Sequence, residues 1–171
     1  QGGVSQCTRT PSIFDHYQLG VVNCISEDQN GNYWLGTNDK GIICFNPKTK
    51  EQKVYNTKNS KLMSDIMVCL LSASDGSVWA GTYNGGLSHI VNGAVTTYMP
   101  SLDGIINKNI WGLAEDRDGN VWIGTLGTGV QKYTSKTGKF STFNSENKNV
   151  SSDYVSSMQM ADNGWIVVGT S

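Results

Sequence analysis

The sequence predicts an all-β fold of β-propeller blades, each a four-stranded antiparallel sheet. Three observations predict it: a repeat of 43 to 45 residues, four strand signals in each repeat, and a turn-rich, weakly charged composition. The repeat is read from the segment Asp28-Gln-Asn-Gly-Asn-Tyr-Trp-Leu-Gly-Thr37. It recurs as Ala73-Ser-Asp-Gly-Ser-Val-Trp-Ala-Gly-Thr82 and as Asp116-Arg-Asp-Gly-Asn-Val-Trp-Ile-Gly-Thr125. The Gly-Thr pairs begin at Gly36, Gly81, Gly124 and Gly169, at intervals of 45, 43 and 45 residues. The fourth copy, Asp162 to Thr170, reads as one residue longer and carries Val167 where the others carry Trp. The 171 residues include 20 Gly and only 16% charged side chains, a profile of hairpins and not of helices or disorder.

In chain order, the segment 13–17 (Ile13-Phe-Asp-His-Tyr17) resembles the fourth strand of a preceding blade; compare Lys139-Phe-Ser-Thr-Phe143. Complete blades follow at 21–55, 66–98 and 109–143, then a partial blade at 154–171. Each opens on an apolar strand, for example Val22 to Ile25 or Met67 to Leu71. A turn such as Asp118-Gly119-Asn120 then supplies the positive φ of a tight hairpin. The Trp-x-Gly-Thr segment is the second strand. A loop through Gly41, Gly86 or Gly129 leads into the third, and a turn such as Asn46 to Lys50 into the fourth, Gln52 to Tyr55. Blades bury both faces, so the Trp side chains fill the gap between sheets, and the Gly before Thr admits a close neighbour. Three full blades and a partial one make an incomplete propeller. Its open face and strand edge invite association, so a larger ring or a homodimer is expected.

Composition excludes several classes of function. The formal net charge is −1, with 13 basic and 14 acidic residues spread evenly, so no basic stripe marks a nucleic-acid partner. No apolar run approaches the roughly 18 residues of a membrane helix, so no direct membrane contact is expected of this segment. Cys7, Cys24, Cys44 and Cys69 lack metal-site spacing and read as buried free thiols. Cys24 and Cys69 fall at equivalent places in adjacent blades, whose separation of about 10 Å exceeds the reach of a disulfide. Glu27-Asp28 and Glu115-Asp116 recur in the same turn, which makes them structural. Asp116-Arg-Asp-Gly-Asn120 resembles half of a calcium loop but lacks its Gly spacing and distal Glu, so it reads as a turn. His16 and His89 lie in separate strands. No catalytic motif occurs, and neither a cofactor nor a metal is implied.

The repeat also acts as a filter. A residue common to all blades serves the framework, whereas a residue that breaks the pattern at a loop end is free to serve function. Such residues gather in the loops between strands two and three and in the loops entering strand one. The candidates for ligand binding are Asn38, Asp39, Lys40, Asp65, Tyr83, Asn84, Asn109, Asp153 and Tyr154, with Trp111, which stands where the sister blades have Asn23, Val68 and Ser156. Amide, carboxylate and ammonium groups suit sugar hydroxyls, and aromatic rings suit stacking on a sugar face.

The run Asn109-Ile-Trp-Gly-Leu-Ala-Glu-Asp116 through Trp122-Ile-Gly-Thr125, with Gly129, Tyr133, Thr137, Gly138 and Phe140, resembles the two-component-regulator propeller repeat. The likeness extends from about Phe14 to Thr170 and weakens in the second and fourth copies. In that family such repeats form the periplasmic sensor region of hybrid two-component histidine kinases. The resemblance implies a periplasmic segment that binds an oligosaccharide and signals to carbohydrate-utilisation genes, without enzymatic activity of its own. Two other classes are carried beside it. A propeller glycosidase or lyase would gather asymmetric carboxylates or a His at the channel mouth. A protein-interaction scaffold would expose an apolar patch on one rim.

Overall fold

Every strand signal of the repeat is met by a strand in the computed structural model, which describes residues 2–7, 14–147 and 149–171. The first blade holds β3 (Val22–Glu27), β4 (Tyr33–Thr37), β5 (Ile42–Phe45) and β6 (Gln52–Tyr55). The second holds β7 (Met67–Ser72), β8 (Val78–Thr82), β9 (Leu87–Val91) and β10 (Ala94–Tyr98). The third holds β11 (Ile110–Glu115), β12 (Val121–Thr125), β13 (Val130–Thr134) and β14 (Lys139–Phe143). All three are four-stranded antiparallel meanders, and two-stranded sheets flank them: β1 (Val4–Cys7) with β2 (Phe14–Tyr17), and β15 (Val155–Met160) with β16 (Ile166–Thr170). The first strands β3, β7, β11 and β15 pack side by side in that order, as the inner strands of a propeller do. Each is bulged at the same place, between Val22 and Cys24, Met67 and Cys69, Ile110 and Gly112, and Val155 and Ser157.

Among the described residues, three hydrophobic cores fill the gaps between sheets, one of them packing Val4, Tyr17 and Leu19 on Leu35, Ile43 and Phe45 of the first blade. Trp34, Ile42, Met67 and Ile90 join the first blade to the second; Trp79, Leu87, Ile110 and Ile123 join the second to the third. The Gly before Thr37, Thr82 and Thr125 is required by this packing. A Cβ at Gly36 would strike the Cys24 sulfur and the Met67 side chain, and one at Gly81 would strike Cys69 and Ile110. The close neighbours are therefore side chains from strand one of the same blade and of the next. Cys24, Cys44 and Cys69 are free thiols, and the side chain of Cys7 lies outside the described residues.

Two details differ from the sequence reading. Val4–Cys7, not assigned there, is a strand that pairs with β2 in the register of a third strand on a fourth, since Val4 faces Tyr17 as Ile42 faces Tyr55. The first sheet is thus the outer half of a blade; Ile13, expected in its second strand, lies outside the described residues. The last hairpin has no extra residue. Met160 faces Ile166 across it as Glu27 faces Tyr33, so Ala161 takes the place of Asp28. The loss of both Asp and Trp from that copy had blurred the alignment.

Candidate functional site

Main-chain hydrogen bonds bring the sequence-selected loops onto one rim. Within a blade, Asn38 N–H donates to Val21 O (3.0 Å), Tyr83 to Ile66 (3.0 Å), Leu126 to Asn109 (3.2 Å) and Ser171 to Tyr154 (3.2 Å). Between blades, Gly41 N–H donates to Asp65 O (3.0 Å), Gly86 to Lys108 (2.9 Å) and Gly129 to Asp153 (2.9 Å). The two sets alternate, so the rim is a continuous bonded band, which presents side chains from fixed backbone.

Some candidate side chains are occupied in holding that band. The Asp65 carboxylate accepts from Thr57 N–H (2.8 Å) and Oγ1 (2.9 Å), and Asp153 accepts from Ser145 in the same way (2.7 and 2.8 Å). Asn109 Oδ1 accepts from Asn84 N–H (2.8 Å), and Asn84 has φ 65°, a left-handed conformation that Asn tolerates better than most residues. Asn38, Asp39 and Lys40 expose their side chains. Tyr83 and Tyr154 are 48% and 55% exposed, the latter with its ring beside Gly127. Trp111 is the bulge residue at the rim end of β11 and is half-buried. The same rim exposes the apolar Val21, Ile66 and Leu126, none of them among the binding candidates drawn from the sequence.

The opposite ends of the blades carry hairpins tied by one carboxylate each. Asp28 Oδ2 accepts from Trp34 Nε1 (2.9 Å) and Asp116 Oδ2 from Trp122 Nε1 (2.8 Å), while their Oδ1 atoms cap the turn amides of residues 30, 32, 118 and 120. Burial alone would raise these carboxyls. The hydrogen bonds outweigh it and hold both below the ordinary carboxylate value. These acids serve the turns, as their recurrence implied. His16 Nδ1 pairs with Ser5 Oγ (3.0 Å), and His89 stacks on Trp79 with centroids 3.7 Å apart. Among the described residues, no three ligating side chains converge as a metal site would require.

One framework repeated blade by blade, with variation gathered at one rim, defines a β-propeller. Residues 17–39 and 104–127 match the model of the two-component regulator propeller, so the chain carries repeats of that kind. It is 32% identical over 123 residues to Histidine kinase P4 of Formosa agariphila, covering 68% of this chain and 9% of that protein. Among solved structures, the extracellular domain of a hybrid two-component system of B. thetaiotaomicron is similar at 24% identity with a TM-score of 0.79, over 95% of this chain and 23% of that one. Virginiamycin B lyase of Staphylococcus aureus shares the fold at 19% identity with a TM-score of 0.68, over 87% of this chain and 48% of that one. The chain thus spans less than a tenth of its curated relative and less than half of each of these solved chains.

Proposed function

We propose that this chain is the ligand-binding part of a periplasmic sensor in a hybrid two-component system, that it is not an enzyme, and that its rim takes an oligosaccharide whose binding is relayed to carbohydrate-utilisation genes. The observation that carries the reading is the pair of exposed rings, Tyr83 and Tyr154, on a hydrogen-bonded rim that also exposes Asn38, Asp39 and Lys40. A sugar offers a C–H face to such rings and hydroxyls to such polar groups. The family and the kinase relative support the sensor role. The exposed Val21, Ile66 and Leu126 favour a second reading, in which the same rim docks another protein. Calorimetry against a panel of neutral and charged oligosaccharides tests the first. Saturable binding that Tyr83→Ala and Tyr154→Ala each weaken about tenfold, a loss of ~1.4 kcal/mol, is expected. Turnover of any sugar would defeat the sensor reading, and silence across the panel would favour the docking one.

A further inference from the structure

Beyond the rim side chains already described, one groove breaks the repeat in a way the blade framework does not require. It runs along the side of the molecule between the outer strands β6 and β10, has a volume of about 780 Å³, and is lined by Lys53, Lys58 and Lys61 with no carboxylate among the described residues. All three lysines are exposed, and among the described residues none is in an ion pair. The charge is concentrated in the chain as well. Residues 48–61 hold five lysines against the single Glu51, a local excess within the even distribution read from the whole sequence.

The third blade supplies the comparison. Among the described residues, its loop from Asn144 to Asp153 shares several hydrogen bonds with the loop from Asn56 to Asp65. Asn56 N–H donates to Asn59 Oδ1 as Asn144 does to Asn147, and the Thr57–Asp65 clamp matches Ser145–Asp153. Yet Ser141, Glu146 and Asn149 stand where the first blade has Lys53, Lys58 and Lys61. Lysine on an edge strand guards against unwanted pairing, which accounts for Lys53 but not for two loop lysines converging on the same groove. The loop also holds them in place, since Asn56 Oδ1 fixes Lys58 N–H (3.0 Å) and Thr97 Oγ1 donates to Lys61 O (2.8 Å).

We infer that this lateral groove binds an anionic oligosaccharide, a sugar carrying carboxylate or sulfate groups, through Lys53, Lys58 and Lys61. An acidic peptide added as a strand is disfavoured, because Asn59 Nδ2 already occupies the Val54 carbonyl on the free edge of β6 (2.9 Å). The inference rests on the reading of the chain as an oligosaccharide sensor but assigns a second site, at the outer edge of the blades, distinct from Tyr83 and Tyr154.

The test is calorimetry on the 171-residue chain with two matched pairs: tetragalacturonate against its methyl ester, and a sulfated galactan oligomer against its desulfated form. At least one charged member is expected to bind and its neutral partner not to. Lys58→Gln combined with Lys61→Gln should weaken that binding at least tenfold at an unchanged melting temperature. Lys136→Gln, in the β13–β14 turn, and Tyr83→Ala should leave it intact, and added salt should weaken it. Equal binding of charged and neutral members, or indifference to the double substitution, would overturn the inference. So would equal affinity for a poly-glutamate peptide, and so would absence of binding by both charged members. The last result, beside neutral-sugar binding that Tyr83→Ala removes, would leave the rim proposal standing.

Discussion

Trp34 and Trp122 each fix a hairpin through one indole proton, and the chain contains its own control. In the second blade Ala73 replaces the acceptor, and Trp79 is instead packed flat against His89, with Tyr98 and Tyr133 at its other contacts. Asp116→Ala should strand Trp122 Nε1 and the turn amides, at a cost of about 1–3 kcal/mol in a denaturant melt. The same change leaves rim binding untouched, because the hairpin lies at the far end of the blade. His89 gives a pH signature. Burial lowers its pKa below the ordinary 6.5, and Asp75 only partly offsets this. Just below pH 6.5 the unfolded chain binds the proton more readily, so the His89 contribution is complete above that pH and declines as pH falls through it. Thermal melts between pH 7.5 and 5 should show the decline, and His89→Gln should flatten it. Asp28, Asp75 and Asp116 act in a lower window. Their depressed values add stability above the ordinary 3.8 that is lost as pH falls below it. The recurrence of Glu-Asp in two turns was enough to mark Asp28 and Asp116 as structural, whereas Asp75 lies outside that pattern. The indole bond was not legible, because no spacing rule predicts which side-chain oxygen a Trp will meet across a turn.

At the level of strands, the contact between neighbouring blades runs through the Gly before Thr. Gly81→Ala would place a methyl 2.7 Å from Ile110 Cγ2 and against the Cys69 sulfur, so destabilisation of about 1–3 kcal/mol is expected from melts, with no change in ligand affinity. The thiols beside these glycines are inert for the same reason. Burial pushes the Cys24 thiol up to about 12 and raises Cys69 as well. At pH 8, Cys24 should react with an aromatic disulfide on the order of 10³-fold more slowly than an exposed thiol, and fully only in denaturant. Rapid labelling of both in the native chain would contradict this packing. The strand-one alignment of Cys24 with Cys69 was readable from the repeat, and the absence of a bridge between them followed from sheet spacing. Loop chemistry was less readable. Asp65 and Asp153 looked like ligand groups because they stand in polar loops entering strand one, but each takes up the hydroxyl and amide of a residue eight positions earlier, a pairing that exists only once the loop has closed.

Across the whole molecule, β1–β2 has the register of strands three and four, and β15–β16 that of strands one and two. The two end sheets are therefore complementary halves of a blade. Among the described residues β16 pairs on one side only, and Trp165 and Val167 are 73% and 55% exposed. A second copy that offers its β1 to that edge would continue the ladder and cover those side chains. Light scattering on the 171-residue chain should therefore show concentration-dependent association, which Val167→Lys reduces. A monomer at all concentrations would remove this account of how the edge is covered.

The sequence by itself determined the fold class, the strand repeat and the glycine framework. These depend on periodic burial and on turn residues with positive φ, and every blade repeats them. It also singled out the rim, because residues that break a repeat stand out against it. The tertiary structure alone decided which rim side chains are free and which are spent on the clamps. It alone brought Lys53 beside Lys58 and Lys61 in a groove shared with β10. The physical reason is the same in both cases: a side chain's availability depends on partners from distant parts of the chain, and linear spacing does not encode which partners folding supplies.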